Sequence, residues 1–258
     1  MNNKAEAYIS LTEIHPYQRL LSYPSDNPEQ QRQYCQQLQH LGVEYLQAAG
    51  PVELAGLPLL GVGYCGLVIA GIWQGHDVAI KLRRNSCQQT NLNEEARILR
   101  QANLLRIGPQ LYCQRDDLLV MERLSGQPLG RWLQNLSAEY APELSSMLRR
   151  LLWQGFYLDE AGIDHGALRC AAEHVFIADE RLTIIDFSHS STNRHPNNVT
   201  SLVSGLLWGT RLAQDIRRLL QLPERQALLP WLQQYKCQPE RFNFEALLCA
   251  LGLKEQET

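Results

Sequence analysis

Lys81 lies inside an apolar run, Val78-Ala79-Ile80-Lys81-Leu82, whose β-branched, aliphatic character is that of a strand. A charge buried in such a strand is costly without a partner, so the sequence must supply an acid nearby. The segment 91–106, NLNEEARILRQANLLR, places Leu92, Ala96, Leu99 and Leu105 on or near one face, which predicts a helix. It offers two acids, Glu94 and Glu95. Glu95 is the expected partner, because Glu95-Ala96 followed by Ile98-Leu99 sets that carboxylate beside the apolar face.

Upstream of Lys81, the stretch VELAGLPLLGVGYCGLVIAGIWQGHDVAIKL predicts a β-hairpin or meander, with a turn at Gln74-Gly75-His76-Asp77. It contains Gly61-Val62-Gly63-Tyr64-Cys65-Gly66, a G-x-G-x-x-G pattern with Val68 two residues beyond. Glycines allow backbone to approach a phosphate closely. A dinucleotide fold needs a helix to open at the third glycine. Here LVIAGIW reads as strand, which favours a hairpin loop lying over nucleotide phosphates, with Lys81 placed 20 residues after Gly61 to reach them. Farther along, Thr183-Ile184-Ile185-Asp186-Phe187-Ser188 is an apolar strand ending in an acid, and a carboxylate there suits a hard cation such as Mg²⁺.

Around these segments the pattern is mixed. Asp26-Asn27-Pro28 opens a helix predicted over 28–48, closed by Gly50-Pro51. After Gly108-Pro109, strands are expected at Gln110–Gln114 and Leu118–Glu122. Composition shifts near Ser125-Gly126 to a mainly helical remainder. That part holds a long helix over Pro142–Ala161, a strand pair near His174–Ile177 and Leu182–Ile185, and two or three helices after Ser201. The fold class is α+β.

With 258 residues the chain can form two lobes, and 45% hydrophobic with 20% charged residues excludes disordered and collagen-like classes. A net charge of −3 argues against nucleic acid as partner. Seven scattered cysteines without a C-x-x-C pair fit a reducing compartment and no metal knuckle. No apolar run approaches the ~20 residues of a membrane span, and the N-terminus lacks a secretory apolar stretch, so a cytoplasmic protein with no membrane partner is expected. The sequon Asn198-Val199-Thr200 would matter only in a secreted protein.

In this order and spacing, GVGYCGLV, VAIK, the EEARIL helix, Leu119-Val120-Met121-Glu122-Arg123-Leu124-Ser125-Gly126, AGIDHG and IIDF resemble the protein-kinase-like superfamily over roughly residues 55–190. The resemblance is more particularly to small atypical members, such as RIO-type kinases and predicted serine/threonine kinases of archaea and bacteria. It implies a two-lobed fold: an N-terminal helical extension (1–50), a β-rich lobe with one helix (51–124) and a reduced helical lobe (125–258), with ATP and Mg²⁺ in an inter-lobe cleft. Gly61, Gly63 and Gly66 would cover the phosphates, with Val68 and Ala79 beside the nucleotide. Lys81 paired with Glu95 would hold the phosphates, and Asp186 would bind Mg²⁺. Met121 would stand at the gate of the adenine pocket, with Glu122 to Leu124 as the hinge.

The chain departs from that pattern at the catalytic loop, His165-Gly166-Ala167-Leu168-Arg169-Cys170-Ala171-Ala172-Glu173-His174. Ala167 stands where the base Asp would be, and alanine cannot accept a proton. His174 stands where an Asn would precede the next strand. Asp164 is the best relocated carboxylate, with Glu173 and His165 behind it. No Ala-Pro-Glu segment follows Asp186, so peptide-docking surfaces are expected to be reduced. Three functions remain open: an atypical ATP-dependent kinase, plausibly acting on Ser/Thr; a nucleotide-binding pseudokinase scaffold; and a small-molecule phosphotransferase. The phosphoacceptor, protein or small molecule, is not encoded in any motif.

Overall fold

The computed structural model describes residues 8–13, 15–63, 65–84, 91–178 and 181–253, and the chain divides into two compact units. One comprises Met1–Arg100 with Pro109–Leu124, the other Gln101–Gly108 with Ser125–Thr258.

In the first unit, β1 (Tyr8–Ser10) is followed by a 3₁₀ turn at Pro16–Ser22, α1 (Pro28–His40) and β2 (Val43–Gln47). A small hairpin of β3 (Val52–Leu54) and β4 (Leu57–Leu59) precedes β5 (Gly61–Val62), β6 (Gly66–Trp73) and β7 (His76–Arg83). Then come α2 (Asn93–Leu104), assigned to this unit through Arg100, β8 (Leu111–Arg115) and β9 (Leu118–Glu122). The main sheet has the order β1-β2-β6-β7-β9-β8, with β5 also paired to β6, and every pairing is antiparallel. Alternation along β7 divides its residues between two faces. Val78, Ile80 and Leu82 join Leu67, Ile69, Leu118 and Val120 in a core that also takes in Tyr17, Leu20, Tyr34 and Leu38.

The predicted helix over 28–48 ends early. Asn27 caps it through its side chain, as the Asp26-Asn27-Pro28 signal requires. The chain leaves the helix at Gly42, whose φ of +83° suits a residue without Cβ, and Val43–Gln47 become β2. The apolar spacing of Leu41 and Tyr45 imitated a helical stripe, but pairing of Leu46 with Gly71 and Gln47 with Ala70 wins over it. β1 and β2, on either side of α1, thus join the main sheet of this unit.

The second unit holds a three-stranded sheet, β10 (Gln127–Pro128), β11 (Val175–Ala178) and β12 (Arg181–Ile184), in that order. Its helices are α3 (Leu129–Gln134), α4 (Ala141–Glu160), the single turn α5 (Ala171–His174), α6 (Asn198–Leu207), α7 (Arg211–Leu219), α8 (Arg225–Cys237) and α9 (Arg241–Ala250). Among the described residues α6 begins at Asn198, before Ser201, and three further helices follow, within the two or three expected. Leu144, Leu148, Leu151, Leu152 and Phe156 recur at helical spacing along α4 and are buried. Phe156 stacks on Phe244 of α9, with ring centres 4.6 Å apart.

Among the described residues no helix is long and apolar enough to cross a membrane. Cys35, Cys113, Cys170, Cys237 and Cys249 are free thiols, Cys65 is disulfide-bonded, and Cys87 lies outside the described residues. The bond at Cys65 departs from the all-thiol chain expected of a reducing compartment.

Candidate functional site

In the first unit the glycine-rich run forms the end of a β-hairpin. Gly61 pairs with Val68 and Val62 with Leu67, and the Gly63 amide donates to the Gly66 carbonyl at 2.8 Å. Tyr64 of that run lies outside the described residues. The motif is therefore strand–turn–strand, without the helix a dinucleotide fold requires. A Cβ on Gly66 would sit 3.0 Å from Lys81 Cε and 3.1 Å from the Leu82 carbonyl, so the third glycine lets the loop lie directly on the lysine stem.

Register places the other predicted residues on one face of the sheet. Val68 stands opposite Lys81, Ala70 opposite Ala79, and Ala79 opposite Met121. This is the face opposite the one that Val78, Ile80 and Leu82 bury in the core. Lys81 Nζ donates to Glu95 Oε1 at 2.6 Å, with both side chains less than a tenth exposed. Glu94 turns away to meet Arg97, three residues on, at the exposed surface. At the end of β9, the Glu122 amide donates to the Gln110 carbonyl and its carboxylate accepts from the Gln110 amide. Leu124 is half-buried just beyond that strand, and Arg123 is held by Gln47 at 2.8 Å.

In the second unit, β12 delivers Ile185 and then Asp186. The Ile185 amide donates to the His174 carbonyl, and the Ile185 carbonyl accepts from His165 Nε2 at 3.1 Å. Phe187 is buried, its ring centre 4.9 Å from that of His165. Between two residues fixed in this way, Asp186 adopts φ 64° and ψ 75°, the left-handed region, which costs a non-glycine residue about 1–2 kcal/mol. Backbone strain of this kind persists where surrounding structure over-determines it and gathers at functional positions.

The segment 163–166 is held from below by a buried polar network that nothing local in the sequence announces. Asp159, near the end of α4, accepts from the Asn198 amide and side chain at 2.8 Å each, from the Val199 amide at 3.2 Å and from the Tyr235 hydroxyl at 2.8 Å. Asn198 in turn accepts from the His165 amide at 2.9 Å and donates to the Ile163 carbonyl at 2.6 Å. Burial pushes the Asp159 carboxyl above its ordinary range despite these donors. Asn198, buried to 1% exposure, is thus a structural hinge pin and not an open glycosylation acceptor. The only sequence signal for this network was an acid spaced among the apolar residues of α4.

Asp164, the relocated carboxylate, is also buried. Arg194 Nη2 donates to it at 2.7 Å and to the His189 carbonyl at 2.7 Å, while the Asp164 and Ser191 backbones bond each other. Its geometry is that of an anchor for the 189–194 turn. Ala167 leads into a 3₁₀ turn at Leu168–Cys170, and Glu173 is exposed.

No family model matches this chain, and no curated protein does. Its chemistry is therefore read from the residues. Elsewhere on the second unit Gln127, Trp132, Tyr140, Glu143, Met147 and Arg150 line a cavity of about 530 Å³, and no predicted site residue lines it.

Burial, then the nearby His174, pushes the His165 imidazole down to about 4 from the ordinary 6.5. The unfolded chain therefore takes up this proton near pH 6.5 and the folded chain only near pH 4, so stability falls as pH falls through that window. The loss is expected to reach about 3 kcal/mol. Denaturant unfolding at pH 7 and pH 4.5 checks it: His165→Gln should flatten the pH slope, and parallel slopes in both proteins would reject the assignment.

Proposed function

We propose that this chain is an atypical ATP-dependent kinase of two-lobed, protein-kinase-like architecture, acting on Ser or Thr hydroxyls. The observation that carries the reading is the buried Lys81–Glu95 ion pair beneath the glycine hairpin. A lysine so held is fixed in place, which is what gripping the α- and β-phosphates of a nucleotide demands. Val68, Ala79 and Met121, on the same sheet face as Lys81, supply an apolar surface suited to a purine ring.

Asp186 offers the hard carboxylate oxygen that Mg²⁺ prefers, with water and phosphate oxygens as its remaining ligands. Mg²⁺ bound there would neutralise charge developing on the β- and γ-phosphates. The strained backbone at Asp186 pre-sets that carboxylate. Asp164 is occupied by Arg194, so no side chain is assigned as base; phosphoryl transfer depends on positioning and electrostatics and tolerates this. Ala167 together with the tied Asp164 also favours a second reading, a pseudokinase that binds nucleotide without turnover.

Thermal unfolding with and without Mg·ATP tests the site before any substrate is known. At ligand near 100 times Kd the stabilisation should be about 2.7 kcal/mol, or roughly 5–10 °C. Asp186→Asn should lose the metal-dependent part. Transfer of labelled γ-phosphate to the protein itself or to a protein mixture then separates kinase from pseudokinase. No shift at millimolar nucleotide would remove both readings.

A further inference from the structure

Two imidazole nitrogens next to the Asp186 strand are buried and unmet. His165 is fully buried, and its Nε2 faces the Ile185 carbonyl at 3.1 Å. A carbonyl can only accept, so Nε2 carries the proton, and in the neutral ring Nδ1 keeps its lone pair. That Nδ1 has no hydrogen-bond partner, and neither does the buried Nδ1 of His174. The two ring centres are 5.9 Å apart, with planes inclined at 61°.

Buried polar nitrogens are rarely left unsatisfied, so each of the two calls for a partner, and rings this close can share one. A ring whose second nitrogen donates to a backbone carbonyl is in the arrangement that orients metal-binding histidines and fixes their tautomer. Two imidazoles bound to one tetrahedral cation at about 2.0–2.1 Å each have ring centres roughly 5.3 Å apart, so binding would draw these two rings together by about half an ångström. Asp186 and His189 are the other titratable groups near His165. Among the described residues no three His, Cys, Asp or Glu side chains converge on one point, so water or an anionic ligand would complete the shell.

We infer that His165 Nδ1 and His174 Nδ1 form a binding site for a borderline first-row divalent cation, of the Zn²⁺ or Co²⁺ class and not Mg²⁺. Imidazole nitrogen suits such cations, whereas Mg²⁺ selects oxygen. Bound there, the cation would staple the 163–166 segment to the start of β11, on either side of Asp186. The inference does not rest on the kinase reading.

The test is titration of the full-length chain with Co²⁺, followed by visible absorption, with Zn²⁺ as competitor and excess Mg²⁺ present. One equivalent should bind with d–d bands and without the near-ultraviolet band of a thiolate ligand, and Zn²⁺ should displace it. His174→Ala should weaken binding at least tenfold. His174 is half-buried with no hydrogen bond from its ring, so this variant is expected to fold, which its thermal unfolding in the absence of metal verifies. His174→Cys should retain binding and add the thiolate band. Absence of saturable binding in the wild type, as a bridging water alone would give, overturns the site. So does His174→Ala binding within twofold of wild type, or His174→Cys binding without a thiolate band.

Discussion

Glu95→Ala should destabilise the protein by about 3–5 kcal/mol, the range for stripping one partner from a buried ion pair. The substitution takes the Glu95 carboxylate away from a lysine that stands opposite Val68 and Leu119 in the sheet and whose side chain is only 7% exposed. Lys81→Met should have a smaller effect, since a carboxylate can take up a proton when left alone. The double variant Lys81→Met/Glu95→Leu should regain most of the loss, because apolar side chains of similar volume replace a desolvated pair at little net cost. Nucleotide-induced stabilisation, expected in the wild type, should be lost in all three. Urea unfolding with and without Mg·ATP reads both quantities. A double variant that recovers stability and still responds to nucleotide would show that the pair is architectural and that phosphates are held elsewhere. Single variants within 1 kcal/mol of wild type would show that water reaches the pair.

Asp159→Ala should have an effect of similar size, about 3–5 kcal/mol, confined to the second unit. It would orphan four donors at once: the Asn198 amide and side chain, the Val199 amide and the Tyr235 hydroxyl. Asp159→Asn keeps one accepting oxygen and should cost less. Amide hydrogen exchange gives the location: protection at Ile163–His165 should fall in the variant, while protection along β6 and β7 stays as in wild type. The sign of the pH effect is also fixed. Burial raises the Asp159 carboxyl, so the folded chain holds this proton to higher pH than the unfolded chain does. Its contribution therefore weakens as pH rises through the folded value, opposite in direction to that of His165. Loss of protection spread equally over both units would contradict the assignment.

The parts of the fold written in local chemistry were readable from the chain. The Gln74-Gly75 turn, with both residues at positive φ, joins two β-branched runs into the β6–β7 hairpin. The preference for Glu95 over Glu94 followed from which of them borders Ala96, Ile98 and Leu99, all buried. What failed was a periodicity shared by two structures. Tyr34, Leu38, Leu41 and Tyr45 recur as a helix would have them, but only the first two belong to one. Strand pairing across to β6 decided the rest, and pairing with a partner about 25 residues away leaves no local mark. The Asp159–Asn198–Tyr235 network was invisible for the same reason. Its members are 39 and 76 positions apart, and one of them was legible only as part of a sequon. Asp164 read as an open acid because nothing in the sequence ties Arg194 to it.

A last consequence follows from how α6 meets the turn at Leu168–Cys170. A Cβ on Gly205 would fall 2.1 Å from the Arg169 carbonyl, so helix and turn touch backbone to backbone. The path of that turn is consequently constrained by a glycine in α6, outside the turn itself. Leu168 is buried, whereas the exposed side chains of the turn, Arg169 and Cys170, are at liberty to change without moving the chain that carries them. Ala167, at the head of the turn, is carried on that same externally held backbone.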